Sequence, residues 1–397
     1  MKALVAGCGV GGPAVALYLR RIGWDVEILE ATQEPDPHAG AFLNVATNGL
    51  TVLRDLGLAD RLMTDAHPCP ELVMWSGGGK RLGVVPNGPA GDPARGSVVV
   101  RRGWLQQVLK DAAQEAGIPI AFGARLSAIE EDGASVVART MDGREFVGDL
   151  LVGSDGIGSI ARRYVDPAAP KPKYSGLISV GGYAGNTGLK PTPGEQHFVF
   201  GRRSFFGYLV RDDGTTYWFA NVTKPEPDRT ALRQISPEAW LDELKDLHRD
   251  DTAPVPQILA AATGVVGAYP VYDLQHVPQW SRGRVVCIGD AIHATSPSAG
   301  QGASLTLEDA QVLGRCLRDS SDVELALKTF HQLRHQRTEA VVAYAQKINK
   351  QKKTTSGRVS MAIRDALLPI FLRKAATDTT VNWLYDPGTR WDEQSAT

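Results

Sequence analysis

The run Gly7-Cys8-Gly9-Val10-Gly11-Gly12 follows directly on the apolar stretch Lys2–Ala6 and opens a helical pattern from Pro13 to Ile22. A glycine cluster between a strand and a helix constrains a chain strongly, because its glycines have separate steric tasks. Gly7 permits the tight turn, Gly9 lets the backbone come close to a diphosphate, and Gly12 lets helix and strand pack closely. The free amides of Val10, Gly11 and their neighbours, with the positive end of the helix, favour an anion. After Gly23, Asp25–Leu29 reads as a second strand, completing a βαβ unit. Glu30 and Ala31 end that strand, with Glu30 18 residues beyond Gly12. A carboxylate there accepts from both hydroxyls of an adenosine ribose and repels a 2′-phosphate. These features predict dinucleotide binding.

Helical patterns over Asn48–Leu56 and Trp104–Ala116 alternate with short strands, and Leu150–Gly153 reads as a further strand. The texture changes near Lys173. His197–Phe200, Phe205–Val210 and Thr216–Val222 are aromatic runs, and Asp213-Gly214 is a hairpin signal, so an antiparallel meander is expected. Alternation places Phe198 with Phe200, Phe206 with Tyr208, and Tyr217 with Phe219. Arg284–Ile288 reads as a strand and Gly302–Arg318 as a helix, and the remainder is mostly helical. The apolar segment Met361–Leu372, interrupted by Pro369, is expected to pack against the dinucleotide-binding part.

Charge narrows the function classes. The 43 Lys and Arg residues nearly cancel the 44 Asp and Glu residues, so the basic face that nucleic acid requires is not expected. No stretch approaches the roughly 20 apolar residues that cross a bilayer, and stable membrane insertion is not expected. Cys8, Cys69, Cys287 and Cys316 lack paired spacing, which predicts free thiols and neither a disulfide nor a metal site. Lys2 leads straight into a strand pattern instead of a signal peptide, and a cytoplasmic address is the expectation.

Further motifs carry a resemblance. They are Arg102-Gly103-Trp104-Leu105, then Gly153-Ser154-Asp155-Gly156-Ile157-Gly158-Ser159, then Gly289-Asp290-Ala291-Ile292-His293. Pro297 and Gly300-Gln301-Gly302-Ala303 follow, ahead of Glu308-Asp309-Ala310. With the opening loop, the chain resembles the class A FAD-dependent aromatic hydroxylases related to p-hydroxybenzoate hydroxylase, which include salicylate, urate and tetracycline-modifying monooxygenases. The likeness spans about residues 2–345. It implies an α/β fold: a Rossmann-like FAD-binding domain over 1–68, 101–172 and 275–345, with an inserted antiparallel β-sheet substrate domain over 69–100 and 173–274. A C-terminal helical tail over 346–397 completes it.

The same resemblance implies a monooxygenase that takes electrons from NADH or NADPH and inserts one atom of O2 into an aromatic or polycyclic small molecule through a flavin C4a-hydroperoxide. Epoxidation, Baeyer-Villiger oxidation or reduction by a related flavoenzyme is the alternative within enzymes, and a non-catalytic flavin-binding protein is the alternative outside them. A monomer or a homodimer would serve. By the resemblance, Asp290 meets the ribitol of FAD, and Pro297, Gly300, Gln301, Gly302 and Ala303 form the loop under the flavin pyrimidine. Arg102 and Gln106 reach the cofactor from a crossing helix, and the Leu126 backbone meets adenine. Asp155 belongs to a motif shared by FAD and NAD(P)H, although its own pattern also suits a helix cap. Ala303-Ser304 replaces the family's usual Asn. His293, Arg334 and Arg337 are expected to be structural. Asn44, Phe200, Tyr208 and Tyr217 are the candidate substrate residues, Asn48 lies in the same loop as Asn44, and no residue is singled out as the catalytic acid or base.

Overall fold

Lys2–Ala6 is buried from Ala3 onward, as an unbroken apolar run at the centre of a parallel sheet requires. The computed structural model describes residues 1–33, 40–352, 358–388 and 390–394. In it, Lys2–Ala6 pairs in parallel with Asp25–Leu29 on one side and Leu150–Gly153 on the other. The sheet continues outward to Ile120–Ala121 beyond the first and to Val285–Cys287 beyond the second, with antiparallel Ser281–Arg282 at that edge. This is a doubly wound sheet whose strand order reverses at Lys2–Ala6. Ligand crevices form outside the carboxyl ends of strands at such a reversal. The Gly7, Ser154 and Gly289 turns all leave from those ends: the amide of Gly7 donates to Leu29 O at 2.8 Å, Ser154 to Ala6 O at 2.9 Å and Ile288 to Gly153 O at 3.0 Å. Helices Gly11–Arg21, Arg102–Glu115 and Gly302–Asp319 bury their apolar faces around this sheet in one core.

The expected meander is present as Lys173–Ala184, Thr216–Thr223, Phe205–Val210 and Glu195–Phe200, paired antiparallel in that spatial order. One correction concerns its edge. Glu71–Ser76 joins Glu195–Phe200 in parallel, and Arg81–Pro86 follows, so the seven-stranded sheet is mixed. A parallel partner needs a long crossover, which local turn signals cannot reveal. One face of this sheet packs Phe206, Tyr208, Trp218 and Ala220 against helices Pro237–Leu247 and Val255–Ala261. The opposite face turns toward the first sheet. A small sheet of Phe42–Val45, Ser97–Arg101 and His67–Cys69 lies between them, and Ser97–Arg101 runs across the expected boundary at 100/101.

The apolar C-terminal stretch also needs correction. Helix Arg358–Ala376 carries Pro369 internally and packs Leu372 against Met74 and Leu82 of the seven-stranded sheet, not against the first sheet. Leu372 finds an apolar edge there, whereas Ile363, Leu367, Ile370 and Phe371 stay exposed. Farther on, Leu384 is buried with Leu305 and Val341, and Trp391 stacks on Tyr18 at 4.9 Å, so the tail docks on the first core. Among the described residues, no helix is long and apolar enough to cross a membrane.

Candidate functional site

The loops after Ala6 and Ile288 converge on Thr306. A methyl group at Gly11 would lie 2.7 Å from Thr306 Cγ2 and 2.6 Å from Ser154 Oγ, and one at Gly289 would lie 2.8 Å from the same Thr306 methyl. Gly7, with φ +102°, would place a methyl 2.3 Å from Ser154 O, and Gly12 would place one 1.8 Å from Gly7 O. Packing within the protein therefore accounts for these glycines. It does not account for Gly9, where a methyl would meet only Gln106 Nε2 at 3.8 Å. The space beside Gly9 is free for a ligand that approaches the backbone. Val10 stands at the start of helix Gly11–Arg21.

Glu30 is held over this loop: its carboxylate accepts from the amides of Cys8 and Thr32, both at 2.7 Å, across Ala31. The neighbouring segment donates from Ala124 N to Glu30 O at 2.8 Å. Leu126, two residues on, buries its side chain and pairs with Thr140.

Asp290 heads the short turn Asp290–His293. Its side chain is exposed, close to Arg102 and His293. Desolvation by the surrounding protein raises its carboxyl above the ordinary carboxylate range, and His293 and Arg102 pull the other way. Among the described residues no hydrogen bond reaches this carboxylate. Arg102 is exposed at the head of helix Arg102–Glu115, and Gln106 lies one turn farther on toward Gly9. One helix thus spans from the glycine loop to Asp290.

Pro297 is exposed and begins a single 3-10 turn that ends at Gly300, whose φ of 63° is left-handed. A methyl at Gly300 would touch Asn44 Cβ at 3.4 Å. Gln301 leads into helix Gly302–Asp319, so the first amides of that helix, Gly302 and Ala303 among them, are left without intrahelical partners. Buried Gln301 takes Asn48 Nδ2 on its Oε1 at 2.9 Å, while its own Nε2 has no partner among the described residues. Ser304 does what the departure from the family pattern left open: its hydroxyl accepts from Ala46 N at 3.0 Å and ties the Asn44 strand to this helix.

Beneath both loops lies an ionic network. Asp309 and Glu308 are buried and pair with Arg334, and Glu308 also takes Arg337 at 2.7 Å. Asp309 accepts from Gly289 N at 2.9 Å and bonds His293 Nε2. Burial favours protonation of both acids, but His293 and Arg334 outweigh it and hold Asp309 down at about 2. Arg334 and Arg337 likewise lower Glu308. Asp155 is a helix cap: its Oδ2 accepts from Ile160 N at 2.7 Å and Ala161 N at 3.1 Å. Arg162 then links that turn to the Asp290 turn by donating to Ala291 O at 2.7 Å.

The substrate candidates separate. Register puts Phe198, Phe200, Gly207, Leu209, Tyr217 and Phe219 on the face turned toward the first sheet. Tyr208 is on the other face, buried among the helices and stacked on His197 at 4.9 Å, because alternation pairs it with Phe206. Its assignment to the substrate is corrected on that ground. Phe200 packs beneath the C-terminal helix, with Arg364 5.7 Å over its ring, and buried Tyr217 lies 5.5 Å from Phe42 and accepts from Arg211 at 3.2 Å. Phe42, Phe198 and Phe219 are half-buried rings in mutual contact, with Phe219 5.9 Å from each of the other two. Asn44 reaches Gln196 at 3.4 Å. Phe42 and Gln196 carry no sequence signal, whereas Phe198 and Phe219 were legible from alternation.

A family model described as an FAD binding domain matches residues 1–345. The chain belongs to this family. Its relatives include the aurachin C monooxygenase/isomerase of Stigmatella aurantiaca, 30% identical over 88% of this chain and 89% of that protein. The FAD-dependent urate hydroxylase of Klebsiella pneumoniae is 29% identical over 87% and 89%. The fold is also that of a crystal structure of Klebsiella pneumoniae HpxO complexed with FAD and uric acid, with a TM-score of 0.84 and 24% identity over 98% of both chains. The protein is an FAD-dependent monooxygenase, and NAD(P)H is the donor typical of such enzymes. The residues present fit FAD: an open face at Gly9, an exposed carboxylate at Asp290 and, among the described residues, an unpartnered side-chain amide at Gln301 and free helix amides at Gly302.

Proposed function

We propose that the enzyme inserts one oxygen atom of O2 into a flat aromatic small molecule. The molecule would lie between the Gly300–Gly302 loop and the rings of Phe42, Phe198 and Phe219. The observation that carries this reading is the Asp290 carboxylate, exposed beside Arg102 and without a hydrogen-bond partner among the described residues. An exposed carboxylate with free lone pairs there can accept hydrogen bonds from ligand hydroxyls. FAD, when bound, supplies the redox and oxygen chemistry with electrons from NAD(P)H.

The chain's own groups divide the remaining work. Segments 1–68, 101–172 and 275–345 hold FAD, segments 69–100 and 173–274 hold the substrate, and 346–397 is a docking tail. Gly9 leaves room for the diphosphate and Glu30 faces the adenosine ribose. Asp290 takes ribitol hydroxyls, with Arg102 and Gln106 on the same side. The amides and positive end of helix Gly302–Asp319 oppose the negative charge that collects near the pyrimidine on reduction. The aromatic rings stack on the substrate and exclude water. Relatives named for urate and for 6-hydroxynicotinate act on flat heteroaromatic rings, which supports the same substrate class here. Four free thiols support a reducing compartment, the cytoplasm.

The test is product analysis under labelled O2 with NADH or NADPH and a panel of phenolic acids, purines, pyridines and indoles. One labelled oxygen atom in a product is expected. Donor consumption yielding hydrogen peroxide alone with every aromatic offered would overturn the reading.

A further inference from the structure

We propose that His276, His335 and Glu339 form a binding site for a divalent transition-metal ion of the Zn2+ type, apart from the flavin cleft. His335 and Glu339 are four residues apart on helix Val323–Lys352 and so share a face. His276 reaches them from the loop between Gly267–Asp273 and Ser281–Arg282. Their ligand atoms all lie within 4.8 Å of one another. His335 Nε2 stands 3.3 Å from Glu339 Oε1, and His276 Nδ1 bonds the same oxygen. Ligand atoms about 2.0–2.1 Å from a tetrahedral Zn2+ are roughly 3.3 Å apart, which the His335–Glu339 edge matches, while His276 would exchange its bond to Glu339 for the ion by a small side-chain rotation.

The surroundings favour an ion over a chance cluster. Nε2 of His335 is buried without a hydrogen bond, and Nε2 of His331, one turn back on the same face, is likewise unpartnered among the described residues. Trp280 packs 5.7 Å from the His335 ring and 5.1 Å from the His331 ring, which holds the imidazoles in place. Two imidazole nitrogens and one carboxylate oxygen suit Zn2+, Ni2+ or Cu2+ better than Mg2+ or Ca2+. The half-exposed side leaves positions for water. The free-cysteine pattern gave no hint of this cluster because its ligands come from two distant segments.

The location implies a structural clip. A small cavity lined by Trp280, Ile292, His293, His335 and Glu339 separates the cluster from the Asp290 turn. An ion here would fasten the loop ahead of the Val285–Cys287 strand to the helix that carries Arg334 and Arg337.

The test uses the full chain loaded with FAD and stripped of metal by a chelator. Calorimetric titration with Zn2+ is expected to give one bound equivalent, and the melting midpoint should climb with the logarithm of free Zn2+. His335→Ala should weaken binding at least tenfold. His276 is exposed, so His276→Ala keeps the fold and should weaken binding to a similar degree; it loses only a surface bond to Glu339, so flavin content should stay unchanged and the metal-free melting midpoint should shift little. Absence of stoichiometric binding would overturn the proposal, as would equal affinity in wild type and His276→Ala.

Discussion

The carboxylate of Asp309 accepts a hydrogen bond from the backbone amide of Gly289 at 2.9 Å, so the turn presenting Asp290 is fixed to the helix that begins at the Gly300–Gly302 loop. The same carboxylate holds Arg334 at 2.8 Å. Asp309→Ala leaves that buried guanidinium with Glu308 as its one acidic partner and frees the Gly289 amide. A loss of about 3–5 kcal/mol is expected. Urea unfolding at pH 7 checks it, and a loss under about 1 kcal/mol would show the network to be dispensable.

Acid should act through the same residue. Asp309 has a folded-state value of about 2, below the unfolded value near 4, so its contribution is complete above pH 4 and disappears as pH falls toward 2. Glu308, also lowered, adds in the same direction. The contribution from Asp309 is on the order of 2 kcal/mol. Unfolding free energies measured in steps from pH 6 to pH 2.5 should fall through this window, and a flat profile there would contradict the assignment.

Asp290 has the opposite sign. Its carboxyl is raised, so the charged form costs the apoprotein stability at neutral pH, and the cost fades as pH falls through the raised value. Asp290→Asn should therefore raise the apoprotein's melting midpoint at pH 7 while weakening FAD. Scanning calorimetry of flavin-free protein reads the first effect, and a lowered midpoint would count against it.

Two aromatic positions should behave differently. Phe219→Ala removes a ring from the proposed substrate face and should raise KM about 3- to 10-fold, with more hydrogen peroxide released per NAD(P)H consumed. Tyr208→Phe lies among the helices and should leave KM unchanged. Steady-state kinetics with any accepted aromatic decides between the two faces.

The parts of this molecule legible in the sequence are those set by local rules. Gly7 and Gly12 meet backbone carbonyls at distances that exclude a side chain, and such sterics leave a glycine pattern anyone can read. Strand Phe205–Val210 and helix Gly302–Asp319 show their own periodicity and fall where expected. What stayed hidden depends on pairing across the chain. The parallel union of Glu71–Ser76 with Glu195–Phe200 has no local turn to announce it. Alternation grouped Tyr208 with Phe206 correctly but could not say which face of the sheet met the helices. Ser304 replaced an expected Asn, and only its bond to Ala46 shows what the hydroxyl does.

Titration of FAD into three apoproteins measures most directly whether the Gly9 turn and the Asp290 turn grip one and the same ligand. Wild type should bind one equivalent. Gly9→Val, which fills a space the protein itself leaves open, and Asp290→Ala, which removes one charged hydrogen bond, should each lose affinity while remaining folded. The Asp290→Ala loss should be about 1–3 kcal/mol. Wild-type affinity in both folded variants would contradict the central claim.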